Sequence, residues 1–306
     1  MPLIYSIIAP LLIISSVAVY QGEAFTAIET ARLLQNCMLI AGIGTLLQLY
    51  PIWKIGSGLP VVMGISFTFL AACLATASQD YGIMVGAIIV GGCFEGVLGL
   101  TAKYWRKIIS PIVSACVVVS IGLSILNVGV SSFGSSSAYP LGSWQNLLVA
   151  TITLAAALSG GVFGCSPITS FSQNVGLISM THVVNRFTIM FGALAMILGG
   201  LFPPIGAFFT TLPDCVLGGC TVIMFGSIMM SGVRMMNDAG MDQRNTLIAA
   251  TCIFLGVGVT QVDGFFNELP SFIGDIFAGN MVAGVFVVGL ILDLCLPRDP
   301  SHYTSM

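Results

Sequence analysis

Residues 169–186 read TSFSQNVGLISMTHVVNR, a dense run of uncharged hydrogen-bonding side chains in a mostly apolar chain. Thr169, Ser170, Ser172, Gln173, Asn174, Ser179, Thr181, His182 and Asn185 precede Arg186 here, whereas the 306 residues as a whole are 57% hydrophobic and only 7% charged. A soluble domain carries about 25% charged residues, and a mean hydropathy of +1.03 rules out water as the main solvent. Windows of about 20 apolar residues, the length that crosses a hydrocarbon core, recur between short loops that hold most of the charge. The sequence reads as an all-α polytopic membrane protein, and the polar run must then face protein or a wet cavity rather than lipid.

Working outward, the expected elements are residues 2–20, 33–51, 60–78, 82–101, 108–129, 144–160, a broken polar segment at 166–184, then 187–209, 213–232, 245–262 and 277–297. Lys54, the group Lys103, Arg106 and Lys107, then Arg186, Arg234, Arg244 and Arg298 fall between them, while loops near 79–81, 130–143, 210–212 and 263–276 carry no Lys or Arg. Positive charge marks cytoplasmic loops, so the N-terminus is expected in the cytoplasm. The alternation fails at one place. The element at 144–160 should end inside, the segment ending at Arg186 should also end inside, and only Ser159 to Cys165 join them. An odd number of crossings is missing there.

Net charge of −3 leaves no basic surface to follow phosphates, so nucleic acid is excluded as a partner. The nine Cys show no metal-ligand spacing and read as small buried hydrophobes. No cleavable signal peptide is expected, because the first apolar run lacks a basic leader and an A-x-A-like site.

Two stretches depart from ordinary apolar helix: GLPVVMGISFTFL at 58–70 and GCSPITSFSQNVG at 164–176. Each holds a Pro, β-branched residues and a Ser-Phe step, Ser66-Phe67 and Ser170-Phe171, before a helical run. They read as matching broken helices from two repeats, of the kind that meet near the bilayer midplane and aim their N-termini at substrate. Gln173 offers one acceptor and two donors, which suits the amide edge of a neutral planar heterocycle. Asn174 lies beside it, and Phe67 and Phe171 could stack on the ring. The competing reading of Gln173 and Asn174 is helix–helix hydrogen bonding alone.

With Gln173, Asn174, Gly176 and Thr181 in register, FSQNVGLISMTHVVNR resembles the signature of the nucleobase-ascorbate transporter family, the xanthine/uracil type of nucleobase:cation symporter. The likeness extends to LPVVMGISFTFL and to LPDCVLGGCTVIMFGSIMMSGVR at 212–234. The resemblance implies an inverted-repeat transporter of fourteen segments, with core and gate domains and two broken helices carrying short strands. Residues 1–107 and 161–210 would form the core, the latter with the signature; residues 108–160 and 211–298 would form the gate, followed by a tail at 299–306. It implies transport of a nucleobase by cation symport, with a proton as coupling ion and no resident cofactor. A bacterial inner membrane and a homodimer are further expectations. Gln at the first motif position is similar to the xanthine and urate branch. On this reading Gln173 holds the base edge, Ser66, Phe67, Phe171 and Ser172 contribute ring or backbone contacts, and Asn174 supports them.

This chain departs from that pattern by offering about eleven segments, with no counterpart of the seventh to ninth between Leu158 and Gly164, which is where charge parity also fails. The acidic residue that the eighth normally brings is absent. Glu95, in GGCFEGVLGL, is an intramembrane carboxylate and therefore a functional candidate. With Thr181 it is assigned a coupling or structural role, a structural hydrogen bond being the first expectation. Asp293 is expected to reach the interface, and His182 to be a satisfied interface histidine. Two other readings are a shortened, non-transporting remnant and an intramembrane serine hydrolase built on Ser166 and His182. Pro167 stands where the glycine after such a serine would be.

Overall fold

The computed structural model describes residues 26–52, 56, 58, 62–64, 81–105, 108–134, 139–162, 186–262, 265–266, 274, 277 and 280–297. Among these residues lie ten helices: α1 (Ala27–Leu49), α2 (Tyr81–Trp105), α3 (Pro111–Ser124), α4 (Leu126–Gly134), α5 (Trp144–Val162), α6 (Arg186–Leu201), α7 (Pro203–Thr210), α8 (Asp214–Asp238), α9 (Gln243–Gln261) and α10 (Met281–Cys295). Four stretches are long and apolar enough to cross a membrane, namely Ile28–Leu49, Gly82–Thr101, Pro111–Gly134 and Cys215–Asp238. The helical membrane class expected from composition is what the chain builds.

Local chemistry explains where the helix limits differ from expectation. α1 starts at Ala27 rather than at 33 because Thr26 caps it: the Glu29 amide donates to Thr26 Oγ1 at 3.3 Å, and the Thr26 amide donates to Glu29 Oε2 at 2.9 Å. This reciprocal box satisfies two of the amides that a helix start leaves orphaned. The single element expected at 187–209 is two helices, separated at Phe202. Pro203 and Pro204 lack amide hydrogens and restrict the residue before them, and Pro203 is well placed only at the first turn of a new helix. The element expected at 108–129 likewise divides at Ile125 and continues to Gly134, for which the sequence offers no proline. α9 is capped by Asp242, whose Oδ1 accepts from the Asn245 amide at 2.8 Å.

Two compact units group these helices: residues 1–84 with 125–227, and residues 85–124 with 228–306. In the first, α1 and α6 form the main pair. The Gly42 Cα position lies against Ala193 and Ile197, and that of Gly200 against Gln35 and Leu39, so the two helices run antiparallel. A Cβ at Gly200 would stand 2.8 Å from the Gln35 carbonyl oxygen and 2.9 Å from the Leu39 amide. Hydrogen in place of a side chain lets the backbones approach this closely, which is how helices associate where lipid removes the hydrophobic drive. α7 folds back onto the same pair. Gly218 of α8 abuts Ser132 and Phe133 of α4 by the same device, and Gly219 abuts Ala150 and Thr153 of α5. At the start of α5, buried Asn146 donates through Nδ2 to the carbonyls of Gly134 and Pro140 at 2.9 and 3.2 Å, closing the loop between α4 and α5.

The core of the second unit is a bundle of α3, α9 and α10, joined by Met236 of α8, around Ile112, Val113, Cys116, Val119, Ile248, Cys252 and Val285. Gly256 of α9 sits directly on Val285 of α10. At one end of this bundle the expectation for Asp293 is overturned. Asp293 is buried, with a side-chain exposure of 0%, and its Oδ1 accepts from Arg244 Nη2 at 2.8 Å. The same nitrogen donates to the Asp293 carbonyl at 2.7 Å and reaches the Leu296 carbonyl at 3.3 Å. The guanidinium of α9 therefore neutralises the carboxylate and caps the last carbonyls of α10, which keeps Asp293 inside the bundle instead of at the interface. The three-helix contact in turn depends on this end remaining tied.

Removing one member of a buried ion pair costs about 3–5 kcal/mol, because the other charge stays buried alone. Asp293→Asn is thus expected to lower the unfolding midpoint of the detergent-solubilised chain far more than the joint change Arg244→Met with Asp293→Leu. Equal losses for the single and double variants would remove the ion pair from this role.

Candidate substrate site and its scaffold

Interrupted helices in a bilayer need partners for the backbone groups they free. The described part of the first interrupted stretch, Val62 to Gly64, is not helical, and its partner is a side chain of α1. Thr45, fully buried, accepts the Met63 amide on Oγ1 at 2.8 Å and donates to the Ala41 carbonyl at 2.7 Å. One hydroxyl serves as donor and acceptor, so it serves the stretch and its own helix together. Val62 completes the anchoring. It is 3% exposed and packs into a small core with Ala41 of α1 and Ala193 and Met196 of α6.

The second interrupted stretch meets the same helix pair through the chain itself. Residues 164–185 lead directly into α6 at Arg186, and the antiparallel pairing puts the start of α6 beside the end of α1. Tyr50, just after α1, donates its hydroxyl to Met190 Sδ at 3.4 Å, and Phe187 and Phe191 meet edge to face with centroids 5.0 Å apart. The α1–α6 pair thus holds Val62 and Met63, shortly before Ser66-Phe67 in sequence, and its α6 begins at Arg186, where the polar signature ends.

Of the residues predicted for substrate, Ser66, Phe67, Phe171, Ser172, Gln173 and Asn174 lie outside the described residues, as do Thr181, His182 and Ser166. Glu95 is described. It occupies the middle of α2 and is exposed, and no hydrogen bond or ion pair is found for it among the described residues. The helix around it is bare: Val90, Phe94, Val97 and Leu100 are 70%, 65%, 58% and 88% exposed. No group of three or more His, Cys, Asp or Glu able to hold a metal is found among the described residues.

Sequence reasoning passed over Thr45 and the Arg244–Asp293 pair. A lone Thr in the apolar run AGIGTLLQL carries a weak signal, because threonine hydroxyls in helices usually bond the carbonyl four residues back, as Thr45 also does. Beside the ion pair lies a cavity of about 280 Å³ edged by Ser110, Pro111, Ala239 and Asn245, and it includes none of the residues predicted for substrate.

A polytopic helical membrane protein with a polar signature next to a glycine-packed helix pair is the class that these features define. The sequence model of the Permease family (Xan_ur_permease) matches the chain over residues 5–160 and 156–265. The chain belongs to that family. Similar proteins include a Clostridium perfringens (strain 13) chain provisionally named a purine permease, 26% identical over 404 positions that cover 96% of this chain and 88% of the relative. The xanthine permease XanQ of Escherichia coli K12 is 25% identical over 414 positions, covering 95% and 88%. The xanthine permease of Bacillus subtilis 168 is 26% identical over 388, covering 90% and 88%.

These alignments also measure the shortening. An alignment of 404 positions that uses 96% of a 306-residue chain leaves about 110 positions where this chain has no residue, room for three spans of about 20 residues with their loops. The two pieces of the family match meet at residues 156–160. That is the point where charge parity fails.

Thr45→Val removes the acceptor of a buried amide while keeping shape, at an expected cost of about 1–3 kcal/mol, whereas Thr45→Ser keeps the hydroxyl. Hydrogen exchange at Met63 should therefore accelerate in the Val variant and stay slow in the Ser variant. Unchanged exchange in Thr45→Val would remove this anchor.

Proposed function

We propose that this chain derives from a secondary transporter that moves a nucleobase, xanthine or urate, by proton symport across a bacterial inner membrane, with its N-terminus in the cytoplasm. The observation that carries the reading is the signature Gln173-Asn174-x-Gly176, with Thr181 after four intervening residues, placed directly before the helix that packs on α1. The names of the relatives as xanthine and purine permeases support the substrate class. Gln173 is assigned the base edge, since its amide can give a hydrogen bond and accept one from a flat neutral ring. Phe67 and Phe171 supply ring faces, Ser66 and Ser172 supply polar contacts, and Asn174 orients Gln173. Residues 1–107 and 161–210 act as the core and residues 108–160 and 211–298 as the gate, rocking about the site in alternating access.

The second reading, a remnant that inserts but does not cycle, is favoured by the shortening: about 110 aligned positions have no residue in this chain, and the two pieces of the family match divide at residues 156–160. A transporter without three spans lacks part of its own walls. Both readings place the base-binding chemistry on the same side chains.

Two measurements separate the outcomes. The chain as it stands is expected to give no proton-dependent xanthine uptake in vesicles, and uptake is expected to return when the corresponding segment of a relative is inserted at residues 156–160. In the restored chain Gln173→Ala should abolish uptake. Uptake unaffected by that substitution would refute the assigned recognition edge, and robust uptake by the chain as it stands would refute the remnant reading.

A further inference from the structure

We draw no further inference here: the strongest candidate, the cavity of about 280 Å³ at the Arg244–Asp293 end of the second unit, carries nothing, because those two charges already neutralise each other and a helix N-terminus, that of α3, is all that is left among the described residues to point to a ligand.

Discussion

A hydroxyl shared between two backbones and a pair of glycine contacts hold the first unit together. Hydrocarbon supplies no water to a broken helix, so every interruption must be repaired by protein. Thr45 accepts the Met63 amide, where α1 and α6 lie close enough for Val62 to be buried against both. That closeness requires hydrogen instead of a side chain at Gly42 and Gly200. The polar signature precedes the same pair in sequence, ending where α6 begins at Arg186.

The second unit solves a different problem. α3, α9 and α10 bury an almost wholly apolar contact, and the charge it contains is placed at the margin and neutralised. Arg244 engages the carboxylate of Asp293 and the terminal carbonyls of α10, so a costly group becomes a fastening.

Much of the class was legible in the sequence. Composition excluded a soluble fold, the Gln-Asn-x-Gly pattern with Thr181 pointed to the permease family, and charge parity placed the shortening at the residues where the family match divides. Other features depended on residues far apart. The fate of Asp293 is decided by Arg244, forty-nine positions away, and no local pattern around Asp293 announces a partner. Thr45 looks like any helical threonine until the residue eighteen positions later donates to it. The division at Phe202 was readable from Pro203 and Pro204, yet the division at Ile125 had no such mark. Glu95 was expected to find a structural hydrogen bond; it is exposed, and no partner is found for it among the described residues.

Whether the two interrupted stretches share one site is the question on which the rest turns. Cysteines placed at Phe67 and Gln173, in a chain whose native cysteines are replaced, can be probed with a short rigid dimaleimide in membranes containing the restored segment. Efficient bridging that xanthine slows would show the ring face and the base edge on opposite walls of one hollow. Absence of bridging at these two positions, while control cysteines at Tyr50 and Met190, which touch in the structure, link across the α1–α6 pair, would contradict it.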